Sequence, residues 1–381
     1  MTRPPCLRVP GRPASWRGPL LEVERWEWSP SAGDDPAAGL TDLLARHGLA
    51  GPPAEQVDRG TAVALLVGAG GCAALAGLPP PPASPVPAVP EVVAVVVRRT
   101  DVGPDPPGAA STGPWDSTWT DAEHAAAVRT VQDAISRGDV YQANVVGHRS
   151  CPYDGDAAAL ADAVAALPGA TYGGVLGGQG WTVACASPEQ LVHVDGRRVT
   201  TVPVKGTLPV RPGSDEQLRA SVKDRAEHVM IVDLERNDLA RIAETGSVQV
   251  ERLFELTEWS GLWQAGSTVA ARLRPDVGVV EVLRALLPGG SVTGAPKRAA
   301  CTLLAGLEPV GRGPAMGAFG FVRPGGLDLG LTIRTVALAE ARVHLWAGGG
   351  ITWGSDPDAE VAEAHAKAGP VVRALAGRRR G

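Results

Sequence analysis

The sequence predicts a fold of the α/β class, α+β in type, with antiparallel sheets flanked by outer helices. Three observations carry that expectation. Strand-like stretches come in runs, rather than alternating singly with helices as a βαβ repeat requires. Neighbouring strands are separated by turns such as Ser187-Pro188 and Asp195-Gly196, too short for a crossover, so they pair antiparallel. Helices with their own start and stop signals fall between these groups. The chain carries no internal repeat.

Composition narrows the class. The 381 residues are 44% hydrophobic and 20% charged, enough for two or three average domains or one large α/β unit. A formal net charge of −5 gives no support for nucleic-acid binding. Five cysteines (Cys6, Cys72, Cys151, Cys185, Cys301) lack CxxC spacing and are odd in number. That argues against a disulfide framework or zinc site and fits a reducing, cytoplasmic setting. Residues 61–90 are uncharged, yet the run is mostly Ala, Gly and Pro, and Pro79 to Pro82 would end any helix begun at Thr61. Neither a membrane span nor a signal peptide is expected.

Taken in order, Leu20–Trp28 alternates like a strand, and Gly39–His47 has helical spacing with Gly48 placed to end it. Val63–Val67 runs into Gly68-Ala69-Gly70-Gly71-Cys72-Ala73, close to a dinucleotide fingerprint. The four prolines that follow leave no room for the helix that motif needs, so the reading is set aside. Residues 79–114 are proline-rich, with a strand at Glu91–Arg98 and a linker at Pro104–Gly113. A boundary is expected there, between a short N-terminal region (1–113) and the region carrying the chemistry (114–381).

Beyond it, Thr120 and Glu123 form a capping box for a helix that stops near Gly138. Val140–Val146 is a strand, Asp156–Leu167 a helix, and Val183–Ala186, Gln190–Val194 and Arg198–Val204 are successive strands. Asp215–Arg241 is expected as one long helix. Further strands are placed at Ser247–Glu255, Thr268–Leu273, Gly317–Val322, Leu329–Ala337 and Val343–Ala347. Helices are placed at Val277–Leu287, Lys297–Leu307 and Asp358–Leu375.

Three features bear on chemistry. Lys205 lies in the stretch Thr201–Thr207, a short apolar strand running into a glycine turn at Gly206; burial there would favour the neutral, nucleophilic amine, although a lysine at a strand end commonly reaches water. Asp224 and Glu227, and separately Glu360 and Glu363, are acidic pairs at i, i+3 on helices. Facing each other they could hold Mg²⁺; alone, each reads as a solvated helix face. Gly348-Gly349-Gly350 follows a strand and is either an anion-binding loop or a tight turn.

Ser187-Pro188-Glu189, Pro203 to Thr207, Glu227-His228 to Asp238, Ser291 to Lys297, Ile333-Arg334-Thr335, and Gly348 to Ile351 with Ser355-Asp356-Pro357 occur in one order. In that order they resemble the motifs of the chorismate-utilising enzymes, over about residues 115–375. The resemblance implies two large antiparallel sheets with the active site in the cleft between them. It implies Glu227 and Glu363 as Mg²⁺ ligands with Asp224 and Glu360 behind them, and Glu189 as the acid that protonates a departing ring hydroxyl. Ser291, Arg334, Gly348, Gly350 and Lys367 resemble the groups that grip the two carboxylates of chorismate. Gly206 and Thr207 belong with them.

Within the family, Gln142 stands where water-using members carry a lysine base, which implies an ammonia user. Lys205 stands where anthranilate synthases carry alanine and resembles the nucleophile of aminodeoxychorismate synthases, component I. Ammonia is then expected from a separate glutamine amidotransferase subunit. Two departures accompany the likeness. The segment Gly261–Thr268 carries Trp263 and no histidine, and Ala315 replaces a tyrosine.

Overall fold

The computed structural model describes residues 7–16, 18–103, 106–259 and 262–376, leaving aside the side chains of residues 207, 222–224, 259 and 262. Two sheets dominate, one of nine strands and one of ten. The first runs Leu7–Arg8, Tyr172–Gly178, Trp181–Ser187, Thr335–Ala339, Arg342–Ile351, Gln142–Gly155, Gly294–Ala295, with Ala110–Thr112 and Asp116–Ser117 also beside Gln142–Gly155. The second runs Val204–Pro209, Leu262–Arg272, Arg198–Thr201, Gln190–Asp195, Gly326–Leu331, Ala318–Arg323, Ala62–Val67, Val92–Arg99, Leu20–Trp28, with Gln249–Trp259 also beside Leu262–Arg272. Every named pairing is antiparallel. One apolar cluster joins them: Leu176, Val183 and Cys185 from the first sheet bury against Val192, Phe319 and Leu329 from the second. Removing each large apolar side chain from water is worth about 1.5–3 kcal/mol.

The N-terminal residues build the three strands at the far end of the second sheet. Val63–Val96 registers Ala62–Val67 against Val92–Val97, and Val67–Ala318 continues the ladder into the later strands. The boundary at 113/114 divides the chain in sequence, while the sheet runs across it. A short helix, Ala69–Ala76, does follow the Gly68 turn. Its first free amides are already taken, because Gly70 and Gly71 N–H donate to Glu91 Oε2 at 2.8 and 3.4 Å. An internal carboxylate therefore occupies the place a pyrophosphate would need.

Five expectations are corrected. Ser187-Pro188 is not a turn between paired strands, because Trp181–Ser187 lies in the first sheet and Gln190–Asp195 in the second. Arg198–Val204 is not one strand: Arg198–Thr201 and Val204–Pro209 each pair with Leu262–Arg272. Gly348-Gly349-Gly350 is neither loop nor turn but lies inside Arg342–Ile351, paired with Val146, Val145 and Asn144. Leu329–Ala337 is not one strand: Gly326–Leu331 lies in the second sheet and Thr335–Ala339 in the first. Asp215–Arg241 is two helices, Ser214–Ala220 and Val222–Ala240, broken where Ser221 turns to an extended ψ of 107°. The Thr120 capping box forms as read. Among the described residues no helix is long and apolar enough to cross a membrane.

Two of the chain's passages between the sheets lie at neighbouring points. Trp181–Ser187 leaves the first sheet and, through Pro188-Glu189, becomes Gln190–Asp195 of the second; Gly326–Leu331 returns through Thr332-Ile333-Arg334. The crossovers are bonded to each other, Leu331 N–H to Glu189 O at 3.0 Å and Ala186 N–H to Arg334 O at 3.1 Å. Arg334 holds φ of 51° to make its turn.

Candidate active site

Glu189 sits on the first crossover, buried, and accepts from Ser291 Oγ at 2.8 Å. Burial drives its carboxyl above the ordinary range. The Ser291 hydroxyl, Lys205, the Val204 N–H and Lys367 oppose that rise. Ser291 arrives on a tight loop, Gly290–Val292, packed against the Val222–Ala240 helix.

Lys205 is placed by an irregularity in its strand. The register against Leu262–Arg272 shifts between Val204 and Thr207, and Gly206 takes φ of 81°, so the strand bulges and re-aims the side chain. The buried His228 ring steadies the strand, meeting Ser267 Oγ at 2.5 Å and facing the Lys205 backbone. Burial first, and then Lys367, push the Lys205 pKa down, while Glu227, Glu189 and Glu363 push it back up. Lys205 thus stands among the carboxylates that the sequence singled out.

Gln142 is fully buried in its strand, and neither atom of its amide has a hydrogen-bond partner. Buried amides are seldom left so, and this one is aimed at Gly350 and Lys205. A Cβ built on Gly350 would collide with Gln142 Nε2 and lie 2.8 Å from Lys205 Nζ. The glycine is what lets the three groups meet. Next to it, a Cβ on Gly349 would lie 2.9 Å from Glu360 Oε2, 3.7 Å from Lys367 Nζ and 4.0 Å from Glu363 Oε1.

The Pro357–Ala376 helix supplies the third wall. Lys367 pairs with Glu363 at 2.7 Å and donates to Gly348 O at 3.0 Å. Glu360 accepts from Ser355 Oγ at 2.7 Å, and Thr352 Oγ1 donates to Glu227 at 3.4 Å. Arg334 lies within electrostatic reach of Glu189, and its burial lowers the guanidinium pKa.

The structure therefore brings together Lys205, Glu189, Gln142, Gly206, Ser291, Arg334, Gly348, Gly350, Lys367, Glu227, Glu360 and Glu363 where the two sheets meet. The side chains of Asp224 and Thr207 lie outside those described. The sequence reading missed Thr352 and the role of His228, and it missed a buried clamp. Glu308 and Arg312 pair at 2.6 Å; Arg312 holds Val292 O and Asn144 O, and Glu308 accepts from Val146 N–H. The i, i+4 spacing of Glu308 and Arg312 was the available signal.

A family model described as chorismate binding enzyme matches residues 86–373 of this chain. The chain belongs to that family. The chain is 39% identical over 269 residues to anthranilate synthase component 1 of Streptomyces coelicolor, which covers 68% of this chain and 53% of that protein. To aminodeoxychorismate synthase component 1 of Salmonella typhimurium it is 35% identical over 271 residues, 69% of this chain and 60% of that protein. It thus matches between about half and three-fifths of the length of these curated relatives. The solved structure of anthranilate synthase component I from Streptococcus pneumoniae is similar at a TM-score of 0.78 and 23% identity, with 92% of each chain covered. The menaquinone-specific isochorismate synthase of Escherichia coli gives 0.66 at 15% identity, covering 97% of this chain and 96% of the other. These likenesses agree with the two-sheet fold.

Proposed function

We propose that this chorismate-binding chain aminates chorismate with ammonia to 4-amino-4-deoxychorismate, as an aminodeoxychorismate synthase component 1 does by name. The observation that carries the reading is Lys205, enclosed in the cleft with Glu189 on one side and the unpartnered Gln142 amide on the other. Burial favours the neutral amine of Lys205 and the protonated carboxyl of Glu189. The Lys205 nitrogen then bonds to the ring as the ring C–O bond breaks, and Glu189 gives the leaving hydroxyl its proton so that water departs. Ammonia next forms its own C–N bond and the bond to Lys205 breaks, which returns the lysine to its amine. Gln142 can offer ammonia a carbonyl oxygen but cannot take a proton from water, which favours nitrogen over oxygen as nucleophile.

Chorismate carries two carboxylates, and Lys367 and Arg334 stand where cations would meet them. Mg²⁺ belongs to this proposal. Among the described residues no group of three or more His, Cys, Asp or Glu stands close enough together to hold an ion. Two carboxylates, Glu227 and Glu363, face the same lysine from opposite helices, and that donor set suits Mg²⁺ completed by water and substrate oxygens. The ion would screen substrate charge against these carboxylates. Ammonia supply from a separate glutamine amidotransferase is part of the same reading, since the matched relatives are named as component 1.

The test is the purified chain with chorismate, a magnesium salt and ammonium, with products identified by mass and fluorescence. The expected product carries nitrogen para to the ring carboxylate. An ortho-amino product would instead place the chain with anthranilate synthases, and turnover with glutamine alone would overturn the need for a separate ammonia source. Full activity in excess chelator would overturn the metal.

A further inference from the structure

One short turn reaches both acidic helices. After Ile351 ends its strand, the chain passes through Thr352, Trp353, Gly354 and Ser355 into the Pro357–Ala376 helix. From this turn Thr352 Oγ1 donates to Glu227 and Ser355 Oγ to Glu360, so one member of each acidic pair is held by it. Ser355 takes Glu360 Oε1, and the other oxygen, Oε2, is the one beside Gly349. The turn is closed on itself: Thr352 N–H donates to Ser355 Oγ at 3.1 Å, and Ser355 N–H to Thr352 O at 3.2 Å. Its middle has little to pack on, since Trp353 is 67% exposed and a Cβ on Gly354 would meet nothing within 4 Å. A tie to the body of the fold comes from another helix. Gln132, on Asp121–Ser136, donates from Nε2 to Ser355 O at 2.8 Å and to Trp353 O at 3.2 Å. An amide nitrogen has two protons to give, and this turn takes both.

We propose that Gln132 is a positioning residue for divalent-cation binding: by fixing this turn it holds Glu227 and Glu360 in place and so sets the affinity of the site for the ion. The inference rests on the metal reading given above. Carboxylates that meet a cation need partners that fix their orientation, and those partners tune affinity without touching the ion. Thr352 and Ser355 are such partners, and Gln132 acts through them. A turn with an exposed middle, left to itself, would have to be ordered when the ion binds, and that ordering subtracts from affinity. Gln132 supplies the order beforehand from a firm base. The Asp121–Ser136 helix is started by the Thr120 capping box and buries Val128 and Val131. At its other end Asp121 meets His365 of the Pro357–Ala376 helix at 2.8 Å, so the two helices are joined independently of the turn. Gln132 lies in none of the motifs that carry the family likeness, and its contribution becomes visible only through the two carbonyl groups it holds.

The experiment is titration of the full chain with Mn²⁺, followed by loss of the free-ion electron paramagnetic resonance signal, for wild type, Q132M and D121N. Methionine keeps the length of the side chain and removes both donors. Q132M should bind Mn²⁺ about tenfold more weakly, the lower end of what the partners of metal ligands contribute. Ammonia-dependent turnover in Q132M should need correspondingly more magnesium to reach half its maximum. D121N loosens the same pair of helices but leaves the turn alone, and its Mn²⁺ affinity should stay within about twofold of wild type. A Q132M affinity equal to wild type overturns the proposal, even if the melting temperature falls. Equal weakening in D121N overturns it too, because general loosening would then account for both. Glu363→Gln separates the two ideas. If it binds Mn²⁺ as wild type does, the metal reading itself has failed; if it loses the ion while Q132M is unmoved, only the role of Gln132 has. Should Q132M not fold, T352V keeps Gln132 and the turn but cuts the contact with Glu227. It must then weaken Mn²⁺ binding by about threefold or more, and unchanged affinity overturns the proposal.

Discussion

A methyl group at Gly350 would land on the Gln142 amide and 2.8 Å from the Lys205 nitrogen, so this position is a sharp probe of the cleft. Gly350→Ala should lower kcat/KM by about a hundredfold, since small displacements of reacting groups cost that much. Stability should drop by only about 1–3 kcal/mol, the usual penalty of overpacking, measured by denaturant unfolding. Wild-type turnover in that variant would mean that the three groups do not act together. Glu189→Gln keeps the shape and the Ser291 contact but offers no acidic proton, and turnover should fall by about 10²–10⁴-fold. Lys205→Ala should abolish the para product while leaving the fold, as judged by the melting transition. An unchanged rate would make the lysine structural. Lys205 could be singled out in the sequence because a charge among Val202 and Val204 is conspicuous. The depth of Gln142 could not, because nothing in Tyr141-Gln142-Ala143 says that Gln142 is fully buried while Tyr141 beside it is exposed.

Helices and strands were legible where periodicity and caps are local. The Thr120 box and the Asp195-Gly196 turn needed nothing beyond neighbouring residues. The apolar stretch from Leu329 to Ala337 read as one strand because both halves are buried, and only the tertiary structure decides that they belong to different sheets. The same applies to Glu308 and Arg312, whose partners Asn144, Val146 and Val292 are distant in sequence. That pair ties the Gln142 strand to the Ser291 loop, so it positions two site residues at once. Arg312→Met alone should cost about 3–5 kcal/mol, because it strands a buried carboxylate. Glu308→Leu combined with Arg312→Met should be milder than Arg312→Met, as chemical denaturation of the two would show.

Two sheets fastened by one core should unfold together, and their stability should respond to acid through histidines as well as carboxylates. His148 and His344 are buried, stacked 5.3 Å apart and bonded at 3.1 Å. Burial first, then the neighbouring cations, lower their pKa values to about 3 and about 4. The unfolded chain binds these protons near pH 6.5, before the folded one does, so stability should fall as pH drops from about 6.5 towards 4. His148→Gln with His344→Gln should flatten that slope in unfolding measurements across the range, and an unchanged slope would assign it elsewhere. The crossovers at Glu189 and Arg334 have a consequence for dividing the molecule. A cut at the Gly196 turn, where an added Cβ would meet nothing within 4 Å, would leave Gln142 and Glu189 on one fragment and Lys205, Ser291 and the two acidic helices on the other. Neither fragment alone holds a working set of groups. Fused to two proteins whose meeting is to be detected, the fragments would be expected to form amine product only when brought together, turning the seam between the sheets into a reporter of proximity.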